Sequence, residues 1–272
     1  MPKPVSALRR CSTMLVLALC LGVAAGCSSK NAAQPEDLPA EELYSRGQAQ
    51  MEAANFQEAA KSFEEVERQH PYSQWATRGQ IMAAYSYYEA SKYEESVGAA
   101  ERFIELHPGH KDVAYAYYLM GMDYHEQISD VCRDQEMTQK SQQSFDELIR
   151  RFPNSDYSRD AQLKVDLIRD HLAGKEMEIG RYYQRREFWL AAINRFQAVG
   201  ENYQTTTHVP EALHRLTESY LALGMSQEAQ ASAAVLGYNF PGSEWYERSF
   251  ALLQGQDLQP KRSEGSWLSR LF

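Results

Sequence analysis

Imidazole, thiol and guanidinium groups mark the places where this sequence could do chemistry. His107 and His110, in H-P-G-H, could ligate a metal through ring nitrogens. A zinc site needs three or four protein ligands, and no cysteine or third histidine stands near this pair. They flank Pro108 and read as turn histidines. Cys132 has no base beside it in sequence to raise its thiolate fraction, so it reads as a small residue in a loop. Glu64–Glu65 and similar acid pairs read as solvated helix faces. There is no G-x-S-x-G, no H-E-x-x-H and no phosphate-cradling glycine loop. The expectation is a protein that is not an enzyme and uses no metal or cofactor. Two features remain: the thiol of Cys27, and the guanidinium groups of Arg181, Arg185, Arg186 and Arg195.

Cys27 closes a leader-like segment. Lys3, Arg9 and Arg10 precede an apolar stretch from Met14 to Ala25. That stretch is shorter than the roughly 20 residues a membrane-spanning helix needs, and the arrangement matches a secretory signal. Ala24, Ala25 and Gly26 lead into the cysteine. This resembles the bacterial lipoprotein box, in which the thiol receives a diacylglycerol and the leader is cut just before it. The box usually has Leu where Ala24 stands, and an ordinary signal peptide cut nearby is the alternative reading. Cleavage would discard Cys11 and Cys20, and acylation of Cys27 would leave Cys132 without an intrachain partner. One acyl chain anchors only marginally, at about 0.8 kcal/mol per buried methylene; the two or three chains of such lipoproteins would hold durably. By the same resemblance, Ser28 in place of Asp directs the protein to the outer membrane, on its periplasmic face. Residues 28–42 are polar and Pro-containing and read as a tether.

The net charge of −9 becomes −12 without the leader's three cations, which argues against nucleic acid as a partner. Ala, Glu, Gln, Tyr, Arg and Leu dominate, and no alternating β-type run occurs. The chain is therefore expected to be all-α.

A repeat positions these groups. Gly47, Ala59, Phe63 and Pro71 follow the tetratricopeptide frame of a small residue at position 8, Ala at 20, an aromatic at 24 and Pro at 32. Small residues let the two helices approach, the ring fills the space between, and Pro stops the second helix. The frame returns with Ala84, Tyr87, Tyr93 and Pro108. It returns again with Gly121, Tyr124, Ser141, Phe145 and Pro153, stretched by a long loop in "QISDVCRDQEMTQK". A fourth copy has Gly180, Tyr183, Ala192 and Phe196, with Gln204 in the Pro place; a fifth has Thr217, Tyr220, Gly224, Ala229 and Pro241. The fold expected is a tetratricopeptide-repeat solenoid of five helix-turn-helix repeats. Its plan is a leader over 1–26, lipidated Cys27 and tether over 27–42, repeats 1–3 over 43–155, repeats 4–5 over 156–250, and a tail over 251–272. A helix capped at Asn154 or Ser155 follows Pro153, and a bend is expected there.

Solenoids bind through the face built from their A-helices. Frame positions 2, 5, 9, 12 and 13 place Glu41, Tyr44, Gln48, Met51 and Glu52 there in repeat 1. Repeat 2 contributes Arg78, Ile81, Tyr85, Tyr88 and Glu89, and repeat 3 Tyr115, Tyr118, Met122, His125 and Glu126. Tyr44, Met51, Ile81, Tyr85, Tyr88, Tyr115, Tyr118 and Met122 would line a trough for an extended peptide with an aromatic end; alternatively, individual rings pack between neighbouring repeats. In repeats 4–5, Arg181, Arg185, Arg186 and Arg195 form either a docking site for a second protein or a set of surface salt bridges. Beyond Pro260, Trp267, Leu268, Leu271 and Phe272 could dock on a partner or bilayer, or stay unstructured.

The leader, tether and repeats together resemble the BamD family of β-barrel assembly lipoproteins, over residues 38–250. The stretches that carry the likeness are "AAYSYYEASKYEESVGAAERFIELHPGH", "YAYYLMGM", "RRFPNSDY" and "GRYYQRREFWLAAINRF". The resemblance implies a non-enzymatic adaptor whose N-terminal repeats bind the C-terminal peptides of unfolded outer-membrane proteins. It implies docking of the C-terminal repeats to a POTRA domain of the barrel subunit BamA, with Arg186 and Arg195 matching family arginines there, and contact with accessory lipoproteins. A periplasmic scaffold for cell-envelope or division proteins is the rival; such proteins tend to carry a coiled coil before their repeats, and residues 28–42 hold no heptads.

Overall fold

The computed structural model describes residues 37–255, and every described element is an α-helix. The five repeats are α1 (Ala40–Glu52) with α2 (Phe56–Gln69), α3 (Gln74–Glu89) with α4 (Tyr93–Leu106), and α5 (Val113–His125) with α6 (Glu136–Arg151). The C-terminal half of α7 (Asp156–Arg185) then pairs with α8 (Trp189–Asn202), and α9 (Val209–Ala222) with α10 (Ser226–Asn239). A last helix, α11 (Glu244–Gly255), packs on α9 and α10. The chain is a tetratricopeptide-repeat solenoid. Cys27, the leader, the first part of the tether and the tail beyond residue 255 lie outside the described residues.

Local chemistry starts and stops these helices. After three of the repeat prolines the chain reads Pro-x-Ser, and the serine caps the next helix. Ser73 accepts from the Ala76 amide and Ser155 from that of Ser158, both at 3.1 Å, and Ser243 accepts from that of Tyr246 at 3.2 Å. Each satisfies an amide that the first turn leaves without a helical partner. Between the helices of repeats 1, 2, 4 and 5 sits one left-handed residue: Ala54, Ser91, Glu187 and Gly224, with φ of 57°, 56°, 61° and 73°. In each turn the next amide reaches back five residues, as Asn55 does to Gln50 at 2.8 Å and Phe188 to Tyr183 at 3.0 Å. This is the Schellman closure, which satisfies end carbonyls. Repeat 3 has residues 126–135 instead, where the Gln135 amide donates to the Arg133 and Asp130 carbonyls.

The frame packs for the reason its residue types suggest. Phe63, Phe145 and Phe196 are fully buried and lie against Gly47, Gly121 and Gly180. A Cβ at Gly47 would come within 2.7 Å of the Phe63 ring, and at the other two the approach is tighter still. Burying such a ring contributes about 1.5–3 kcal/mol, and only a side chain of hydrogen lets it in. Where position 20 is serine rather than alanine, its hydroxyl bridges the two helices. Ser96 donates to the Ala84 carbonyl and Ser141 to that of Gly121, each at 2.9 Å.

Some boundaries differ from the sequence reading. Helix α1 starts at Ala40, inside the stretch read as tether. Helix α6 starts at Glu136, so the long loop ends five residues earlier than 140; the Asp134 carboxylate accepts from the Glu136 amide at 3.0 Å and begins the helix. Residues 251–255 belong to α11, with Leu253 fully buried. The segment after Pro153 is one 30-residue helix. Its Ala161, Val165, Ile168 and Leu172 join the core of repeats 2 and 3, while Ala173 and Met177 join that of repeats 4 and 5.

Candidate polypeptide-binding surfaces

On the A-helix face of repeats 2 and 3 the tyrosines meet. Tyr85 of α3 lies 6.5 Å from Tyr115 of α5, and Tyr115 lies 5.3 Å from Tyr157 at the start of α7. Tyr157 is also 5.4 Å from Tyr118, so four rings form one continuous cluster, tilted in the offset manner aromatic pairs favour. Tyr85, Tyr115 and Tyr118 are half-buried and Tyr157 is 40% exposed. Tyr88 stands beside them, 6.2 Å from Tyr93, and Met122 is half-buried against the same core.

Carboxylates hold the hydroxyls of these rings. Tyr118 donates to Asp160 Oδ2 at 2.7 Å and Tyr88 to Glu126 Oε1 at 3.5 Å. The hydrogen bond to Glu89, then burial, raise the pKa of Tyr85. Burial, then Glu126 and Glu89, push Tyr88 up to about 12. Burial, then Asp160, raise Tyr118 as well. The phenols therefore stay neutral at any physiological pH and present ring faces with a fixed polar edge.

The remaining trough residues divide. Tyr44 packs on Phe63 at 5.3 Å and on Trp75 at 4.9 Å, so it is a joint between repeats 1 and 2, with Met51 packed nearby. Ile81 corrects the sequence reading: it is 7% exposed and part of the core, because its helix face turns inward at that position. Trp75, Tyr157 and Trp245 escaped the sequence reading. Each stands two residues after a capping serine and packs on position 5 of the preceding A-helix, Tyr44, Tyr118 and His214 respectively. The repeated Pro-x-Ser-x-aromatic pattern was the available signal.

The four arginines also divide. Arg181 donates to Glu211 and to Glu178, both at 2.9 Å. Arg195 donates to Glu176 at 3.1 Å. These two are held by the protein's own carboxylates. Arg185 and Arg186 are exposed at the end of α7, and the Arg186 guanidinium stacks 4.7 Å over the Tyr182 ring. Beside them the turn at Glu187 leaves Phe188 56% and Leu190 66% exposed. Large apolar side chains next to arginine are the composition of interface centres.

Among the described residues no group of three His, Cys, Asp or Glu could hold a metal ion, and no helix is long and apolar enough to cross a membrane. His107 Nε2 lies 2.7 Å from Gln80 Oε1 and its ring packs 5.3 Å from Phe103, a joint between α3 and α4.

Helical hairpins stacked in this frame define a tetratricopeptide-repeat protein. The chain belongs to the family described as YfiO, outer membrane lipoprotein, which matches residues 36–236. It is 48% identical over 240 residues to the outer membrane protein assembly factor BamD of Caulobacter vibrioides, covering 87% of this chain and 78% of that protein. It is 45% identical over 243 residues to the protein of that name from Rickettsia prowazekii, covering 89% and 96%. Among solved structures, the TPR2AB-domain:pHSP90 complex of yeast Sti1 aligns with 80% of this chain and 84% of that one, at 14% identity and a TM-score of 0.41.

Proposed function

We infer that this chain is a non-enzymatic assembly factor for outer-membrane β-barrel proteins. It is held at the periplasmic face of the outer membrane by lipid on Cys27. Repeats 1–3 bind the C-terminal segments of unfolded barrel proteins, and repeats 4–5 dock on a POTRA domain of a BamA-like barrel subunit, with accessory lipoproteins as further contacts. The observation that carries the client-binding half is the half-exposed ring cluster of Tyr85, Tyr115, Tyr118 and Tyr157. Its faces suit apolar and aromatic side chains, and its neutral hydroxyls suit a peptide backbone. The names of the relatives support the assembly role.

The test is photocrosslinking of a C-terminal barrel peptide to the full-length chain. Tyr85→Ala with Tyr118→Ala is expected to lower the yield at least several-fold while leaving the far-ultraviolet circular dichroism unchanged. Equal yields would remove the ring cluster from client binding.

A further inference from the structure

A carboxyl group without a partner lies beneath the ring face of repeats 2 and 3. Asp123 of α5 is fully buried, and neither of its oxygens has a hydrogen-bond partner in the protein. The fold does not need an acid there. Asp123 stands two residues after the small residue at position 8 of its repeat, a place taken by Ser86 in repeat 2 and Ser219 in repeat 5. Both serines are fully buried, and their hydroxyls donate to carbonyls of their own helices, Met82 and Arg215, each at 2.7 Å. A carboxylate left unpaired in such surroundings is strongly disfavoured, and the group takes a proton instead.

Asp123 is met by Tyr88 from α3, by Ser96 from α4 and by Tyr124 of its own helix. Glu89, Tyr93 and Glu126 stand around Tyr88. On α6, Lys140 lies 5.8 Å over the Tyr124 ring and pairs with Glu136; on α7, Lys164 pairs with Asp160. Neither pair includes Asp123. The Ser96 hydroxyl donates to the Ala84 carbonyl at 2.9 Å and so ties α4 to α3. An ionised Asp123 would draw that hydroxyl proton to itself, break the tie, and call water into the seam where α3, α4 and α5 pack. The rings cross the same seam. Tyr85 of α3 meets Tyr115 of α5 at 6.5 Å, and Tyr88 of α3 donates to Glu126 at 3.5 Å.

We propose that Asp123 is a positioning residue for the trough: a proton-operated joint between repeats 2 and 3 that keeps the rings in binding order while its carboxyl is neutral and lets them part when it ionises. The inference rests on the peptide-trough reading and adds to it regulation by pH. The two states differ by one proton, which the closed joint holds on the carboxyl and the open joint gives up to water. Client peptide binds the closed state, so it is held at neutral pH and released as the medium turns alkaline.

The experiment follows a labelled C-terminal barrel peptide, free of histidine, cysteine and amines, by fluorescence anisotropy on the full-length chain from pH 7 to pH 9. Over that range the trough phenols stay neutral, and His125, lowered by burial and then by Lys164, stays uncharged. Asp123, at about 8, is the group of this seam that titrates. Affinity is expected to fall about tenfold from pH 7 to pH 9, because only the neutral fraction binds. Asp123→Asn should keep the pH 7 affinity throughout. Ser96→Ala installs the residue that repeats 1, 4 and 5 carry at this position (Ala59, Ala192 and Ala229). It removes the hydroxyl that favours the ionised form and should move the loss of affinity to higher pH. The far-ultraviolet circular dichroism should hold constant; helix lost in step with affinity would overturn the joint in favour of unfolding. Equal affinity at both pH values, or an equal fall in Asp123→Asn, overturns the switch, and if Tyr85→Ala/Tyr118→Ala still weakens binding at pH 7 the trough stands without it. A peptide that binds at pH 7 regardless of those tyrosines, or does not bind at all, removes trough and switch together.

Discussion

Asp123 is a charged residue type in a place with no room for charge. It is fully buried on α5, and neither carboxylate oxygen has a hydrogen-bond partner. Burial raises its pKa to about 8, against a lowering influence of the neighbouring Ser96 hydroxyl, which donates its proton to the Ala84 carbonyl instead. The folded protein thus holds a proton that the unfolded chain releases near its ordinary value of about 4. Stability from this group is complete below that unfolded value and is lost as pH rises through about 8. Asp123→Asn keeps the shape and removes the titration. We expect its melting temperature to match the parent below pH 4 and to exceed it increasingly up to pH 8.5. Parallel curves across that range would show that Asp123 is not protonated in the fold. At this same scale Arg181 and Arg195 show what pattern reading missed. Four arginines close in sequence looked like one cluster, yet the partner of Arg181 is Glu211, thirty residues away on α9. Only packing brings those charges together.

At the scale of the element, four of the five hairpins turn on a single left-handed residue. Only one of the four, Gly224, has a residue type that announces the conformation. A Cβ added there would meet nothing within 4 Å, so Gly224→Ala tests backbone strain alone. An L-residue in this region costs about 1–2 kcal/mol, or a few degrees in melting temperature for a chain of this size. A melt unchanged within error would mean the turn relaxes. The helices themselves were legible in detail: small residue, ring and proline at fixed offsets, and a cap at Asn154 or Ser155 after Pro153; the equivalent caps at Ser73 and Ser243 emerged only in the structure. Their ends were less so. Asp134 and Gln135 start α6 through loop contacts that no periodicity reveals.

For the whole molecule, the stack is joined by nearest neighbours, as expected of repeat proteins. Helix α11 closes the described end of the stack, with Leu253 fully buried in the core of repeats 4 and 5. Leu253→Ala should cost about 2–5 kcal/mol. By hydrogen exchange, the loss of protection should fall mainly on α9–α11 and spare α1–α4; uniform loss would mean that the solenoid unfolds as one unit. The docking surface belongs to this scale too. Arg185 and Arg186 are the exposed members of the arginine group, flanked by Phe188 and Leu190. Arg185→Glu with Arg186→Glu should reduce recovery of a barrel subunit's periplasmic domains in pull-down by at least tenfold at physiological salt. Undiminished recovery would move the docking site elsewhere.

The sequence alone determined the helices, their pairing into five hairpins and the rings at their centres, because these follow from contacts within one repeat: Gly47 with Phe63, Gly121 with Phe145, Gly180 with Phe196. Tertiary structure alone decided which surface side chains remain available. Ile81 went to the core, Tyr44 to a joint, and Arg181 and Arg195 to the protein's own glutamates, while Tyr157 joined the ring cluster from a different helix. The physical reason is range. A frame position fixes the face of a helix on which a residue lies, but exposure and pairing depend on neighbouring helices whose relative rotation is set by the packing of whole repeats.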